Sequence, residues 1–597
     1  MSLLLEFWSV LTRQQKRWVV WTQILSILMA VSTVVGIASI SPFFAVLGNP
    51  QLVDESKYLH WLYLHLQLAD KHSFVIALGM GFIAIVLTAN IINIVGSFVM
   101  IRVSYGISTE LQSALFEEYL GRPYIFHAKT NSAVIFNNIV HETSRVSNDI
   151  LQSAFPLVTN LVTAALITLS VLWLNPAVAA AMVVMLGGGY ALIYLALRNW
   201  LLRSGEIQSH FLIEQTRTIT ESIGAIKEIL VLRIQNFFRG NFERVSGTLA
   251  RKAASGKLVY QSPKYMMECI TVAGLVLVAL FADSRGGGIG PWLGQLTFVG
   301  FAAYRLLPTL QQAYSSLVRI RGERAAFTAI AADLRLARQS KAMPVCVSST
   351  WMNHPSREIR LQDVSFRYEP DRPPAIDGVT MRIPATAAVG FVGANGSGKT
   401  TLVDVIAGLL VPETGRLEVD GIAVDDTNRT AWQSRIAYVP QNIFLLDTSI
   451  AQNIALGIDG TAIDRERLAM AARLAQLDDL VHTLPGGYSH RIGERGVALS
   501  GGQRQRIGIA RALYTNASVL ILDEATNALD GMTEQELMAT IMRLRGRYTI
   551  ILIAHRLSTV RACDVIFEFE RGRICSRGTY AELLEGSESF KRLAEVR

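Results

Sequence analysis

Long runs of uncharged residues recur through the first half of the chain. A bilayer core of about 30 Å is crossed by roughly 20 apolar residues of helix, and the runs are of that length or longer. The longest run is divided by Asn175-Pro176, a dipeptide that favours a turn, so it predicts two spans. The six predicted spans cover residues 18–47, 73–101, 150–174, 176–197, 265–282 and 292–318. An even number of spans places both termini on one side of the membrane.

The connections between the spans differ in charge. Residues 198–264 contain 11 Lys and Arg against 5 Asp and Glu, a net charge of +6, whereas the opposite connections are short or nearly neutral. The positive-inside rule predicts that both termini and the connections 102–149 and 198–264 are cytoplasmic. This excess accounts for much of the net charge of +8, so the basic composition does not indicate nucleic-acid binding. The helical spacing of Ile223, Ile226 and Leu230 predicts that spans continue into the cytoplasm as helices.

The composition fits a chain that is partly embedded in a membrane. Of 597 residues, 51% are hydrophobic and 17% are charged, against roughly a quarter charged in soluble domains. The four cysteines show no CxxC pair and no metal-ligand spacing. They exclude a disulfide scaffold and a zinc module and fit a reducing cytosol. The first uncharged run is far longer than the apolar core of a signal peptide, so we expect a retained span.

The outer connection after the first span contains a leucine-rich and aromatic segment, residues 57–68. Leu59, Leu62 and Leu66 recur at helical spacing, which predicts an interfacial helix with Trp and Tyr at headgroup depth. Alternate leucines from Leu62 onward also fit a strand. We favour the helix because the other outer connections are too short to supply a pairing strand.

Charged residues lie within or beside the last two spans. Arg305 lies inside the sixth span, where an unpaired charge is costly. Its guanidinium suits a substrate phosphate or pyrophosphate by bidentate hydrogen bonding, and an arginine that snorkels or bridges two helices is the alternative. Lys264 and Glu268, at the cytoplasmic end of the fifth span, are spaced to pair with each other, and we favour that structural role.

The remainder of the chain has the composition of a soluble α/β domain and contains a phosphate-binding motif. An apolar strand pattern over residues 388–392 is followed by G-A-N-G-S-G-K-T at 393–400, which fits G-x-x-x-x-G-K-[ST]. The glycines let backbone N–H groups surround phosphate oxygens. Lys399 would reach the β and γ phosphates of a nucleotide, and Thr400 would ligate Mg²⁺.

A second strand pattern ends in two carboxylates. Residues 519–522 are apolar, and Asp523 and Glu524 follow them. Asp523 is expected to hold Mg²⁺, and Glu524 to orient or deprotonate the attacking water. A strand that ends in acids is common by itself, but downstream of a phosphate-binding motif it predicts an ATPase.

Residues 499–503, L-S-G-G-Q before a predicted helix, resemble the signature of ABC-type ATPases, and further motifs extend the resemblance over the whole chain. The fold implied is multidomain: a six-helix transmembrane domain of ABC exporter type followed by an α/β P-loop ATPase domain. The implied boundaries are a membrane domain over 1–338, a linker over 339–356 and the ATPase domain over 357–597.

The resemblance also implies roles for individual residues. Tyr368 would stack on adenine, Gln441 and His555 would act with Glu524 in catalysis, and residues 528–530 resemble the D-loop. Mg²⁺ would be held by Thr400, Gln441 and Asp523. The implied ATP contacts are Tyr368, Gly393, Asn395, Gly396, Ser397, Gly398, Lys399, Thr400, Thr401, Ser500, Gly501, Gly502 and Gln503.

In this family the signature of one ATPase domain faces the phosphate-binding loop of a second. Ser500 and the amides of Gly501 and Gly502 would then hold the γ-phosphate of ATP on a partner chain. Because the chain has one such domain with every catalytic position filled, the resemblance implies a homodimer with two active sites. Short cytoplasmic helices near residues 121–133 and 220–233 would transmit closure to the membrane domain, docking beside Gln441.

The outer segment 57–68, the run S-P-K-Y at 262–265 and the run A-Y-R-L-L-P at 303–308 together resemble the PglK-type flippases. These proteins turn polyprenyl-diphosphate-linked oligosaccharides from the cytoplasmic to the outer leaflet of the bacterial inner membrane. The resemblance implies that Arg305 meets the diphosphate and the outer segment meets the tail. An ABC exporter of drugs, other lipids or peptides is one alternative, because it would share all the ATPase motifs. A membrane-tethered regulatory ATPase or channel is the other, and it would hydrolyse ATP without moving a substrate.

Overall fold

The structure is a computed structural model that describes residues 2–39, 43, 46–47, 51–66, 70–174, 176–284, 290–339, 355–497, 499–525, 531–554 and 556–595. Contacts between residues divide the chain into two compact units. The first comprises Met1–Arg122 with Thr130–Met343, and the second comprises Pro123–Lys129 with Pro344–Arg597. A short segment from the helical half of the chain therefore belongs to the second unit. The boundaries expected from the sequence, at 338 and 357, stay a prediction.

The first unit is helical. Its helices are Ser2–Val10, Arg13–Ala38, Leu52–Glu55, Lys57–His65, Lys71–Gly121, Ser132–Phe136, Thr143–Arg145, Gln152–Leu174, Pro176–Met182, Gly188–Gly224, Ile226–Leu232, Gln235–Ser284, Gly290–Gly322 and Arg324–Gln339. Segments of π-helix, Asn137–Glu142, Val146–Leu151 and Val183–Gly187, lie between neighbouring helices. Each of the six predicted spans thus contains helix, and Pro176 begins a new one as expected.

Membrane-spanning length and composition are clearest in the first three spans. Within the described residues, Arg13–Ala38, Lys71–Gly121 and Ser132–Trp173 are long and apolar enough to cross a membrane. The predicted spans near 176–197, 265–282 and 292–318 lie within helices, and their crossing of a membrane stays a prediction.

The predicted outer helix is confirmed as Lys57–His65. Its residues Leu59, Leu62 and Tyr63 pack against a small cluster that contains Val53 and the fully buried Phe74. The other face of this helix remains apolar and exposed, since Trp61 is 59% accessible to solvent. An amphipathic helix with an exposed tryptophan suits the membrane interface.

A buried ionic network joins helical segments of the first unit. Nε of Arg145 donates to Glu323 at 2.8 Å, and Nη1 of Arg145 donates to Glu142 and Ser209 at 2.8 and 2.7 Å. Arg145, Glu142 and Glu323 are all buried. Burial of charges is costly unless they are paired and hydrogen-bonded, and this geometry meets both conditions.

Helices are present in the connection 198–264, as the apolar spacing predicted, and one of them ends at Gly224 before the short helix Ile226–Leu232 begins. Ile223, Ile226 and Leu230 are exposed to solvent, at 62%, 49% and 56%. Ile229 is buried instead, on the short helix Ile226–Leu232. The spacing therefore predicted helix, and the structure adds that Ile229 is the buried residue of this short helix.

The second unit contains two sheets. Its strands are β1 Glu358–Phe366, β2 Ile376–Pro384, β3 Ala388–Gly393, β4 Thr414–Val419, β5 Ile422–Ala423, β6 Ile436–Val439, β7 Val519–Asp523, β8 Thr549–Ile553, β9 Val565–Glu570 and β10 Arg573–Gly578. The first sheet is antiparallel with strand order β2-β1-β4-β5, and the second has the order β10-β9-β3-β8-β7-β6, parallel from β9 to β6.

Helices and the central strands build the core of the second unit. Every residue of β7 and β8 is buried, and alternate residues face two separate apolar clusters. Buried parallel strands read as continuous apolar runs for this reason. The helices are Tyr124–Lys129, Lys399–Ile406, Arg429–Gln433, Ile450–Ile454, Arg465–Leu474, Asp478–Thr483, Gly501–Tyr514, Gly531–Met542, Leu557–Val560, Tyr580–Gly586 and Glu588–Glu595. The carboxyl ends of β3, β8, β7 and β6 meet at one edge of the sheet.

The segment Pro123–Lys129 forms the helix Tyr124–Lys129 and packs within the second unit. Ile125 contacts the apolar cluster that contains Leu402 and Ile521, and Tyr368 and Tyr438 line the same cluster. This helix lies within the first of the two regions expected to transmit closure. The corresponding helix in the second region, Ile226–Leu232, belongs to the first unit.

Candidate active site

The phosphate-binding loop connects β3 to the helix Lys399–Ile406. Three of its glycines have positive φ, with Gly393 at 142°, Gly396 at 77° and Gly398 at 98°. Gly398 is also the residue before the first turn of the helix, and a Cβ there would lie 2.5 Å from the carbonyl oxygen of Ala375. Only glycine fits both the conformation and the space, so the loop backbone can approach a phosphate closely.

Lys399 lies at the centre of this loop. Its Nζ donates to the carbonyl oxygens of Gly393 at 2.8 Å and Ala394 at 2.9 Å. Burial lowers the pKa of the lysine, while the carboxylates of Glu524 and Asp523 act in the opposite direction. A phosphate in the loop would add negative charge beside this ammonium and favour its protonated form. The lysine and the loop therefore fit a nucleotide phosphate.

The structure brings two predicted catalytic residues together. Nε2 of Gln441, which follows β6, donates to Oε2 of Glu524 at 2.6 Å. Glu524 has φ of 50°, a left-handed conformation that is unusual outside glycine. Such a conformation costs about 1–3 kcal/mol and persists only when the surroundings enforce it. Here it turns the chain directly after β7, so that Glu524 meets Gln441 at the carboxyl edge of the sheet.

Asp523, the last residue of β7, is buried and accepts a hydrogen bond from Tyr438 on β6. The Tyr438 hydroxyl lies 3.1 Å from Oδ2 of Asp523. Burial raises the pKa of Tyr438, and the nearby charges of Asp523 and Asp404 raise it further. The tyrosine is therefore a proton donor throughout the physiological pH range. Tyr438 was not among the residues predicted from the sequence, because no local motif marks a tyrosine that reaches across to the next strand.

Asp404 is a second carboxylate at the site that the sequence analysis missed. It lies on the helix Lys399–Ile406 and is buried. Burial, followed by the charge of Asp523, raises its pKa to about 6. Its charge in turn contributes, after burial, to a raised pKa of Tyr124. Tyr124, at the start of the helix Tyr124–Lys129, thus lies within electrostatic reach of Asp404.

Tyr368 contacts the helix that follows the phosphate-binding loop. Its hydroxyl lies 3.3 Å from Oγ1 of Thr401, and its ring meets Phe366 edge to face at a centroid distance of 5.1 Å. Both Tyr368 and Thr401 were predicted to contact ATP. Their contact holds the tyrosine beside the loop, and its stacking on adenine stays a prediction.

The signature residues form the start of the helix Gly501–Tyr514. The Ser500 hydroxyl accepts from the Gln503 amide at 3.2 Å, and Oε1 of Gln503 accepts from the Ser500 amide at 2.8 Å, a capping box. This leaves the amides of Gly501 and Gly502 at a helix N-terminus, which suits an anion. Over the described ranges, no hydrogen bond joins these residues to the phosphate-binding loop of the same chain.

The residues expected to hold Mg²⁺ fit that ion. Among the described residues, no group of three or more His, Cys, Asp and Glu side chains gathers as a metal site. Mg²⁺ usually takes one or two carboxylates together with substrate phosphates and water. Asp523, with Thr400 and Gln441 at the same edge of the sheet, offers that donor set.

Several predicted residues lie outside the described part of the structure. They are His555 and residues 528–530, together with the side chain of Arg305 on the helix Gly290–Gly322. Their roles stay predictions. By contrast, the expected pair of Lys264 and Glu268 is confirmed, with Nζ and Oε1 3.9 Å apart.

Two protein families match the chain. Residues 19–282 match the ABC transporter transmembrane region, and residues 376–527 match the ABC transporter family. The second match includes the phosphate-binding loop, Gln441, the signature residues and the carboxylates after β7.

Similar proteins extend over most of the chain. The ATP-dependent lipid A-core flippase of Aromatoleum aromaticum is 30% identical over 514 residues, which is 83% of this chain and 81% of the relative. The lipid A-core flippase of Bordetella avium is 28% identical over 94% of this chain and 92% of its own. The heterocyst differentiation ATP-binding protein HepA of Nostoc sp. is 30% identical over 80% and 77%. The solved structure of a bacterial Atm1-family ABC exporter with ATP bound aligns with a TM-score of 0.76 at 22% identity, over 97% of both chains.

Proposed function

This chain belongs to the ABC transporter family as a half-transporter of the exporter type, and we propose that two copies of it flip a polyprenyl-diphosphate-linked oligosaccharide across the bacterial inner membrane. The chain is an ATP-driven exporter whose ATPase is coupled to transport. The proposal includes the identity of the lipid, its movement from the cytoplasmic to the outer leaflet, and the position of both termini in the cytoplasm.

One observation supports coupling most directly: the helix Tyr124–Lys129 packs within the ATPase unit. This helix lies in sequence between two long helical stretches of the other unit, Lys71–Gly121 and Ser132–Trp173. Ile125 contacts the ATPase core, and Tyr124 lies near Asp404. Motion of the ATPase core would therefore be transmitted to both long helices through a chain connection of a few residues.

ATP would bind with its phosphates in the loop 393–400, held by backbone amides and Lys399. Thr400, Gln441 and Asp523 would hold Mg²⁺, which neutralises phosphate charge when bound. Glu524 would accept the proton of the attacking water. The hydrogen bond from Gln441 holds the Glu524 carboxylate at the carboxyl edge of the sheet, the edge at which the phosphate-binding loop leaves β3.

Closure requires a second chain, which we propose is an identical copy. The amides of Gly501 and Gly502 lie at the N-terminus of the helix Gly501–Tyr514. The signature residues of each copy would complete the phosphate site of the other copy. The exposed apolar residues of the helix Ile226–Leu232, such as Leu230 and Val231, supply a surface for the same partner. A half-transporter of this type implies a dimer.

ATP-driven closure would supply the free energy for the conformational change. Moving an equilibrium from 1:99 to 99:1 takes about 5.5 kcal/mol of differential binding. Two bridged nucleotides contact both chains only in the closed state, so they favour that state. Hydrolysis removes the γ-phosphate contacts and lets the pair reopen.

The lipid headgroup is the more specific part of the proposal. Arg305, inside the last predicted span, would pair with a diphosphate, because guanidinium binds phosphate oxygens in a bidentate manner. The outer helix Lys57–His65 exposes Trp61 and Leu64, which suits contact with an acyl or polyprenyl tail. Both features fit a large amphipathic lipid with a phosphorylated headgroup.

A lipid A-core flippase is the second candidate, and the names of the relatives favour it. A phosphorylated saccharide on a lipid anchor is common to both candidates. They differ in the tail and in the link between the sugar and the phosphate. The same reconstituted protein can therefore be offered both lipids.

The decisive experiment is a flipping assay in proteoliposomes. Wild-type protein is reconstituted with fluorescent polyprenyl-diphosphate oligosaccharide or with labelled lipid A-core, and ATP-dependent loss of surface accessibility is followed. We expect wild type to flip the polyprenyl lipid and Glu524→Gln to abolish flipping, since loss of a general base slows turnover about 10²–10⁴-fold. Flipping of lipid A-core alone would contradict the polyprenyl assignment in favour of the second candidate.

Arg305 is tested in the same vesicles. Arg305→Ala is expected to abolish flipping, and Arg305→Lys to retain part of it, because lysine keeps the charge without bidentate geometry. Unchanged flipping by Arg305→Ala would remove the proposed headgroup contact. ATP hydrolysis that responds to drugs or peptides and not to either lipid would overturn the flippase proposal.

A further inference from the structure

A cavity of about 200 Å³ lies in the first unit, between the helices Gly188–Gly224, Gln235–Ser284 and Gly290–Gly322. Its volume has room for a phosphate group with several waters, since one water needs about 10–15 Å³ of such space. The groups that decide its chemistry come from all three helices. They are Trp200 from the first, Lys252, Lys257 and Tyr260 from the second, and Arg319 from the third.

Glycine residues shape this cavity. A Cβ at Gly205 would overlap the carbonyl oxygen of Gly322, so the first and third helices touch through their backbones at that point. Gly256 lies on the second helix, between Lys252 and Tyr260 along the same face. Because Gly256 carries no side chain, the second helix leaves an opening where the other two are in contact.

Positive charge in the cavity exceeds the negative charge that is free to balance it. In the described part of the chain, Lys252, Lys257 and Arg319 form no ion pair, whereas nearby Lys264 pairs with Glu268. Of the two lining carboxylates, Glu323 is already bound to Arg145 at 2.6 Å. Asp149 is the other lining carboxylate, so three lining cations stand against one carboxylate that no ion pair occupies in the described part of the chain.

The three cations line one cavity. Lys252 and Lys257 line it from one helix, Lys257 at an exposed position, and the guanidinium of Arg319 lies over the Tyr260 ring, 5.6 Å from its centroid. Like charges that line one cavity repel each other, and a bound polyanion would relieve that repulsion. Guanidinium and ammonium groups are the donors that bind phosphate oxygens best.

The position along the chain puts the cavity at the edge of the predicted membrane. Trp200 follows the end of the fourth predicted span, and Tyr260 precedes the start of the fifth. Trp and Tyr concentrate at membrane interfaces, where one part of the side chain is apolar and another is hydrated. The basic connection 198–264 marks this side as cytoplasmic. The end of the cavity at Tyr260 and Arg319 therefore lies at the depth of a headgroup in the cytoplasmic leaflet, and Lys252 lies about 12 Å further towards the cytoplasm along its helix.

We propose that this cavity binds a phosphate of a lipid headgroup in the cytoplasmic leaflet, through Lys252, Lys257 and Arg319, before the lipid is flipped. The inference rests on the proposed flippase function and assigns it a loading site. The cavity is too small for an oligosaccharide, so the phosphate enters it while the sugars and the tail stay outside. A free phosphate in the cytosol offers the same chemistry, and the test separates the two sources.

The test measures how fast an amine-specific acylating reagent modifies each lysine, by mass spectrometry of the full-length protein in phosphatidylcholine nanodiscs. Polyprenyl diphosphate is added to the nanodiscs in one arm, and inorganic pyrophosphate is added to the solution in the other. At a ligand level about ten times its dissociation constant, a bound lysine is modified about tenfold more slowly. Lys227, on the helix Ile226–Leu232 outside the cavity, is the internal control.

We expect polyprenyl diphosphate to protect Lys252 and Lys257 and leave Lys227 unchanged, and pyrophosphate to protect them weakly. Protection by pyrophosphate alone would overturn the lipid assignment, and protection by neither would overturn the site. Binding of polyprenyl diphosphate in the nanodiscs is also compared between variants. Lys252→Ala should weaken this binding about tenfold, because a hydrogen bond to a charged group contributes that much. Arg251→Ala, at the neighbouring exposed position, should leave the binding unchanged.

Failure of the site and failure of the proposed function give different results. If polyprenyl diphosphate protects Lys252 and Lys257 but wild type shows no ATP-dependent flipping, the headgroup site is supported and the flippase function is rejected. If wild type flips the lipid, neither lysine is protected and Lys252→Ala flips as well as wild type, the flippase function is supported and the site is rejected.

Discussion

Replacing Tyr438 with phenylalanine removes the hydroxyl that donates to Oδ2 of Asp523, at 3.1 Å, and changes little else at the site. We expect Tyr438→Phe to weaken Mg²⁺ binding in the presence of nucleotide. Asp523 is buried, so its carboxylate orientation depends on protein groups more than on water. The tyrosine acts through Asp523 and is a positioning residue for the proposed metal ligand.

The size of the effect follows from the geometry. A hydrogen bond to a charged group contributes about 1.5–3 kcal/mol, and the distance of 3.1 Å is long for an O–H donor, so we take the lower end. That value corresponds to about tenfold in binding. Loss of a hydrogen bond to a metal ligand typically costs about 10–100-fold in metal affinity, which agrees with this value.

The assay is Mn²⁺ binding, by electron paramagnetic resonance, with a non-hydrolysable ATP analogue present, together with ATPase activity against free Mg²⁺. We expect about tenfold weaker Mn²⁺ binding and the same shift in the Mg²⁺ dependence, with metal-free nucleotide binding unchanged. Tyr124→Phe is the matched control, since Tyr124 is exposed and has no hydrogen bond to Asp523 in the described contacts. Equal or tighter metal binding by Tyr438→Phe would refute the reasoning.

Three further predictions concern the ATPase unit. Gly398→Ala should abolish binding of a fluorescent ATP analogue, because the added Cβ would meet the Ala375 carbonyl oxygen. Gly396→Ala should bind the analogue more tightly than Gly398→Ala does, because the space around Gly396 is open. Ile125→Asp should reduce flipping about tenfold and leave basal ATPase activity intact, since it removes an apolar contact that couples the helix to the core; equal loss of both activities would contradict a coupling role. Asp404→Asn should raise the melting temperature of the metal-free protein at pH 7.5. The folded pKa of Asp404 is about 6 against an ordinary 3.8, so its ionised form destabilises the fold by roughly 3 kcal/mol above pH 6 and by roughly half of that at pH 5. A stabilisation that is equal at both pH values would argue against this cause.

Local motifs made the nucleotide site predictable. The loop 393–400 carries its glycines, lysine and threonine at fixed offsets, and the strand before Asp523 is a continuous apolar run. Both patterns depend on residues close in sequence. The family resemblance assigned Gln441 and Glu524 to catalysis, and the structure shows a hydrogen bond between them that the sequence did not predict.

Contacts that depend on strand register were not predictable. Tyr438 reaches Asp523 because β6 pairs with β7 so that Tyr438 lies opposite Ile521. A shift of one residue would point Tyr438 to the other face of the sheet. No sequence pattern within four residues of Tyr438 or Asp523 indicates that strand register.

The same limit applies to the long helices. The period of apolar residues over 223–234 predicted helix correctly, but it did not show that Ile229 packs within the chain while Ile226 and Leu230 face outward. Which face is buried depends on neighbours that are distant in sequence. The identity of the transported substrate is less accessible still, since the sequence offers only Arg305 and a few short runs that are less specific than the ATPase motifs.

The helix Tyr124–Lys129 affects how this protein is made and how it can be divided. Ribosomes translate these residues long before the strands that they contact, so an early piece of the nascent chain must wait for a late one. An ATPase half expressed alone would lack Ile125 and expose the apolar surface that it covers. Chimaeras that exchange ATPase halves between relatives should therefore exchange residues 123–129 with them, or the transplanted half will meet a foreign contact.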